Sequence, residues 1–150
     1  MTASIRVEES VQIARSASEV REAIADYSFD RLWRQGLREM TPELPGPPAL
    51  GTKVHDVIWS SGRDYVADTV VIDLDPGVSY RFAGTGTLGG VGGGRAVRAE
   101  GAGAVFTYTV ALQPQGAMRL PGPILGRFVR SGLKNDLRRL KTLLERQGGS

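Results

Sequence analysis

The chain has 150 residues, 41% of them hydrophobic and 23% charged, with a formal net charge of +3 and no cysteine. That length can bury one core without covalent staples, so a single domain over residues 1–150 is expected. The lack of cysteine excludes disulfides, thiolate metal sites and a cysteine nucleophile. The mild positive charge falls short of a nucleic-acid signature, which needs basic residues clustered with stacking aromatics.

The opening "MTASIRVEES" has neither the basic start nor the apolar run of a signal peptide. No apolar stretch approaches the roughly 20 residues of a membrane span, and a cytoplasmic location is the expectation. In "SIRVEESVQI", Ile5, Val7, Val11 and Ile13 share a parity, the pattern of a half-buried strand. Ser16 and Glu19 stand at capping-box spacing and start a helix through "EVREAIADY". After a turn, "FDRLWRQG" reads as a second short helix ending near Gly36, and the proline-rich "TPELPGPPALG" as loop.

Strands follow in succession: "TKVHDVIW", "YVADTVVIDL", "SYRFAGT", "GRAVRAE" and "AVFTYTVALQ". The last alternates most clearly, with Phe106, Tyr108, Val110 and Leu112 on one parity. The short turns between them predict antiparallel hairpins. "MRLPGPI" then leads into a closing helix. At about 100° per residue, Leu125, Phe128, Val129, Leu133, Leu137, Leu140, Leu143 and Leu144 of that helix fall on one stripe, with Arg127, Arg130, Lys134, Arg138 and Lys141 opposite. One helix facing a wide sheet must lie on the concave side, and the gap beside it is where a small-molecule pocket arises.

Asp136 falls inside the apolar stripe of this helix, with Gly132 one turn before it. Either Asp136 pairs with an inward arginine of the sheet, such as Arg81 or Arg98, or lies wet at the stripe's edge, or the two residues open a polar niche toward a ligand. A glycine inside a helix costs about 1 kcal/mol against alanine, so close approach of a strand or ligand must offset it. A desolvated carboxylate there has a raised pKa and suits acid–base work.

Other motifs are weaker. "GTGTLG", Gly84 to Gly89, matches a dinucleotide fingerprint but is followed by glycines and another strand rather than a helix, so it reads as a flexible glycine-rich hairpin at the sheet rim. His55 and Asp56 are strand neighbours on opposite faces and cannot chelate one ion together; no metal site is expected. If the face of His55, Val57 and Trp59 is the inner one, His55 and Trp59 border the cavity. Val54 and Ile58 make an equally good inner face, which leaves His55 solvated.

The segments "VQIARSASEVREAIADYSFDRLWRQGL", "VVIDLDPGVSYRF" and "GAVFTYTVALQPQGAMRLPGPILGRFVRSGLKNDLRRLKTLLE" resemble the START/Bet v 1-like superfamily (SRPBCC), particularly its bacterial polyketide cyclase/dehydrase and lipid-transport branch. The resemblance covers nearly the whole chain. It implies an α+β helix-grip fold, a curved antiparallel sheet of about seven strands around a long C-terminal helix, with two short helices after the first strand and a deep apolar cavity. Relatives bind lipids, sterols, polyketides or hormones, and a minority catalyse cyclisation, aromatisation or dehydration. The aromatase/cyclases pair an arginine with aromatic hydroxyls, for which Arg34, Arg81, Tyr65 and Tyr108 are candidates by type.

The first expectation is therefore a module that binds or transports a small hydrophobic or amphipathic molecule. Its lining would be Trp59, Tyr80, Phe82, Phe106, Tyr108, Phe128 and Leu133, with Gly132 making room, Asp136 orienting a polar end and Trp33 near the mouth. The alternative is a cofactor-independent polyketide cyclase/dehydratase in the same cavity, with Asp136 and His55 or Tyr108 moving protons. A third reading is an interaction protein that uses the basic helix face toward an acidic partner or membrane surface.

Overall fold

The computed structural model describes residues 4–76, 78–114 and 122–147. Strand β1 (Ile5–Ile13) leads to helix α1 (Ala17–Ala25), a single 3-10 turn (Tyr27–Phe29) and the four-residue helix α2 (Asp30–Trp33). Six strands follow: β2 (Leu37–Pro42), β3 (Lys53–Ser60), β4 (Arg63–Asp75), β5 (Ser79–Gly86), β6 (Gly89–Glu100) and β7 (Gly103–Pro114). Helix α3 (Gly122–Gln147) closes the chain. The loop expected to precede it falls largely at residues 115–121, outside the described residues.

The seven strands form one antiparallel sheet in the order β1-β7-β6-β5-β4-β3-β2, so every neighbour except β1 and β7 is joined by a sequential connection. This is the helix-grip architecture, with the sheet curled around α3. The alternation in β1 and β7 places Ile5, Val7, Ile13, Phe106, Tyr108 and Leu112 on the covered face. Leu125, Leu133, Leu137, Leu140 and Leu144 of α3 pack against them. Ser16 caps α1 by accepting from the Glu19 amide at 3.2 Å, and its hydroxyl donates to the Glu19 carboxylate at 2.9 Å.

Three details depart from expectation. The second helix is shorter than "FDRLWRQG", because Arg34 and the positive-φ Gly36 turn the chain into β2. A Cβ on Gly36 would stand 2.2 Å from the Trp59 carbonyl oxygen, so only glycine fits there. Strand β2 is itself unexpected: it pairs with β3 at the sheet edge, and its exposed Arg38 and Glu39 hide any alternation. Finally, the glycines of "GTGTLG" and "GVGGG" are not a loose loop, because β5 and β6 run through them up to a tight turn at Thr87 and Leu88. A Cβ on Gly84 would fall 1.9 Å from the Asp68 carbonyl oxygen, so these residues let β4 and β5 approach closely.

A cavity with a buried ion-pair floor

Between the concave face and the N-terminal half of α3 lies an open cavity of about 970 Å³. The sheet contributes Val54, Ile58, Val71, Tyr80, Phe82, Val91, Tyr108, Val110 and Leu112, and α3 contributes Leu125, Phe128, Val129, Gly132, Leu133 and Asp136. Trp59 and Phe128 are 43% and 58% exposed and stand on its open side. The Arg38 guanidinium lies 4.4 Å from the Trp59 ring centroid and steadies it there.

The inner pole is polar. Arg95, from β6, points inward with its side chain 2% exposed and grips Asp30, which is 0% exposed. Nη1 donates to Oδ1 at 3.1 Å and Nη2 to Oδ2. Arg95 Nη2 also donates to the Tyr108 hydroxyl at 3.4 Å. Arg34 donates to Asp30 and to Asp56, each at 3.3 Å. Burial opposes the charge on Arg95, but Asp30, Tyr80 and Tyr108 outweigh it and hold its pKa well above the ordinary value. Burial likewise pushes Tyr80 up, and Tyr27 up to about 12, with Arg95 partly opposing both. These phenols are therefore neutral donors at neutral pH. The Tyr27 hydroxyl and Arg95 Nε are buried with no partner among the described residues.

The structure sorts the expected site residues. Trp59, Tyr80, Phe82, Tyr108, Phe128, Gly132, Leu133 and Asp136 all line the cavity. Trp33 and Phe106 do not: both are 0% exposed and pack edge-on at 6.1 Å between ring centroids. Trp33 therefore lies beneath the floor rather than near the mouth, with the Arg95 guanidinium 5.2 Å from its ring centroid. His55 is on the outer face, where Nδ1 meets Asp68 at 2.6 Å, and has no route to the cavity. Trp59 shares its parity but stands at the end of β3, where the cavity opens.

Asp136 is not paired with Arg81 or Arg98, which are exposed and turn to Asp73 and Glu100 instead. It accepts from the Gln35 backbone N–H at 3.0 Å, tying α3 to the link between α2 and β2. Burial raises its pKa, opposed by that hydrogen bond and by Arg34 and Arg139. The basic face of α3 is also partly committed: Arg130 pairs with Glu9, and Lys141 with Glu145 and the Gln12 carbonyl.

Asp30 and Arg95 escape sequence reasoning, whereas Asp56 shares the parity of Val54 and Ile58, the face already weighed as an inner one. The one signal for the Asp30–Arg95 pair lies in "GRAVRAE", where Arg95 shares its parity with Val97, so a charge stands on the apolar face. Among the described residues, no cluster of three or more His, Asp or Glu could hold a metal, and no helix is long and apolar enough to cross a membrane.

The profile of the family described as polyketide cyclase / dehydrase and lipid transport matches residues 4–145. No curated protein matches the chain in sequence. Among solved structures, a START superfamily protein from Mycobacterium smegmatis is similar at TM-score 0.81 and 14% identity, over 95% of this chain and 98% of that one. Major latex-like protein 151 from Panax ginseng is similar at TM-score 0.68 and 13% identity, over 93% and 96%. A protein of unknown function from Staphylococcus aureus is similar at TM-score 0.74 and 11% identity, over 99% and 98%. At such identities the likeness establishes the shared fold. With the cavity, the helix-grip sheet and a profile running almost end to end, the chain belongs to the polyketide cyclase/dehydrase and lipid-transport family of the START/Bet v 1-like (SRPBCC) superfamily.

Proposed function

We propose that the protein binds or carries a small hydrophobic or amphipathic molecule, lipid- or polyketide-like, in the cavity between α3 and the sheet. The supporting observation is the cavity itself: about 970 Å³ of space, walled mostly by apolar side chains and open beside Trp59 and Phe128. Affinity would come chiefly from apolar area removed from water, about 25 cal/mol per Å² before association costs. The test is fluorescence titration with the neutral probes N-phenyl-1-naphthylamine and 2-acetylanthracene, comparing the wild type with Gly132→Phe, which projects a ring into the cavity. Saturable micromolar binding that the variant loses supports the reading. Binding that survives in the filled variant, or no binding of either probe, overturns it.

One observation favours catalysis as a second reading. Arg95 stands with the Tyr108 hydroxyl, and Tyr27 and Tyr80 line the same cavity, the arginine and aromatic hydroxyls that the resemblance associates with aromatase/cyclases. In that reading Asp136 and Tyr108 move protons during cyclisation or dehydration of a polyketide-like substrate. A synthetic linear tetraketide thioester, followed by mass spectrometry for loss of water, is the probe. An enzyme loses turnover in Asp136→Asn while retaining binding, whereas a carrier shows no turnover in either protein.

A further inference from the structure

The charges that reach this cavity are already matched against one another. Arg95 spends both terminal nitrogens on Asp30, and Arg34 spends its own on Asp30 and Asp56. Two cations thus meet two carboxylates before any ligand arrives, and Asp136 adds a third carboxylate on the helix wall. The donors left toward the cavity are neutral: Tyr80 and Tyr108 line it, and the Tyr108 hydroxyl, which accepts from Arg95, keeps its own proton to donate.

We propose that the cavity selects an uncharged ligand whose inner end carries a hydrogen-bond acceptor, such as a ketone or ester oxygen, and discriminates against the carboxylate of the same skeleton. This rests on the cavity being the binding site. A carboxylate entering the inner pole sheds its hydration and finds no uncompensated cation to replace it. A ketone sheds far less and meets the neutral phenol donors of Tyr80 and Tyr108. The overall charge of +3 gives no hint of this, because the excess lies outside the cavity.

The test is a pair of fluorescent ligands on one three-ring skeleton, 2-acetylanthracene and anthracene-2-carboxylate, titrated at neutral pH. The ketone is expected to bind roughly tenfold tighter or more. Asp56→Asn, which frees Arg34 while leaving the fully buried Asp30–Arg95 pair in place, should narrow that ratio several-fold by improving carboxylate binding. Tyr80→Phe should weaken the ketone several-fold and leave the carboxylate unchanged. Circular dichroism confirms that each variant is folded. Equal or tighter binding of the carboxylate to the wild type overturns the proposal while leaving the cavity as the binding site. A ketone preference untouched in both folded variants overturns the assignment to these groups. Failure of both ligands and of the naphthalene probe overturns the cavity reading as well.

Discussion

Asp30 and Arg95 lie 65 residues apart in the chain and meet in a two-pronged ion pair, neither side chain more than 2% exposed. The pair joins the short helix α2 to the centre of the sheet, with Trp33 and Tyr108 under and beside the guanidinium. Removing one partner of a buried pair strands the other charge, at a cost of about 3–5 kcal/mol. Asp30→Ala should therefore lower the midpoint of urea unfolding markedly, or leave the protein insoluble. The double variant Asp30→Leu with Arg95→Met should be more stable than the single one. If Asp30→Ala unfolds at the wild-type midpoint, the pair does not hold the floor.

This pair also marks where sequence reasoning stops. The stripe of α3 and the parity of β7 were legible because a helix and a strand each repeat their buried face at a fixed period. Ser16 and Glu19 were legible because a capping box is local. A contact between Asp30 and Arg95 has no period and no local spacing. Trp33 was misplaced for the same reason: one short helix carries it, and only the arrival of β6 and β7 decides whether it faces a mouth or a floor. Strand β2 hid because an edge strand can keep polar side chains, and its last residue, Pro42, opens a proline-rich stretch. Asp136 was found from the helix stripe, but its partner, the Gln35 backbone N–H, belongs to a link that no periodicity describes.

His55 offers a test of face assignment. Its hydrogen bond to Asp68, then the nearby charges of Asp68 and Glu39, raise its pKa above the ordinary 6.5 despite slight burial. The stability it contributes is present below 6.5 and is lost as pH rises through the raised folded value. Its side chain is 43% exposed, so solvent screening keeps the effect small. His55→Gln should lower the melting temperature slightly in acidic buffer, converge with the wild type in alkaline buffer, and bind 2-acetylanthracene unchanged. A loss of ligand binding in this variant would place His55 in the site after all.

Gly132 separates helix propensity from cavity volume. A Cβ built there meets nothing within 4 Å, and the residue lines the cavity. Gly132→Ala should stabilise the protein by up to about 1 kcal/mol, the usual difference between these residues inside a helix, with little change in ligand affinity. Gly132→Phe should keep the fold and lower affinity roughly tenfold or more, because the ring occupies ligand volume. Denaturant curves read the first effect and fluorescence titration the second. Destabilisation by alanine would mean that something packs closely against that glycine.

Asp136 supplies a pH signature of its own. Burial raises its folded pKa, and the Gln35 backbone N–H, Arg34 and Arg139 offset only part of that. A carboxyl raised on folding holds its proton longer in the native state than in the unfolded chain. Its favourable contribution is thus present below the unfolded carboxylate value and is lost as pH rises through the folded one. Between those two values wild-type stability should fall with rising pH relative to Asp136→Asn, which cannot ionise but keeps an acceptor for the Gln35 backbone N–H. Above that window the stability difference between the two proteins should be constant. Denaturation midpoints measured across the acidic range in both proteins check this. Parallel curves would show that Asp136 holds its proton equally in the folded and unfolded chain, which would mean that burial does not govern it.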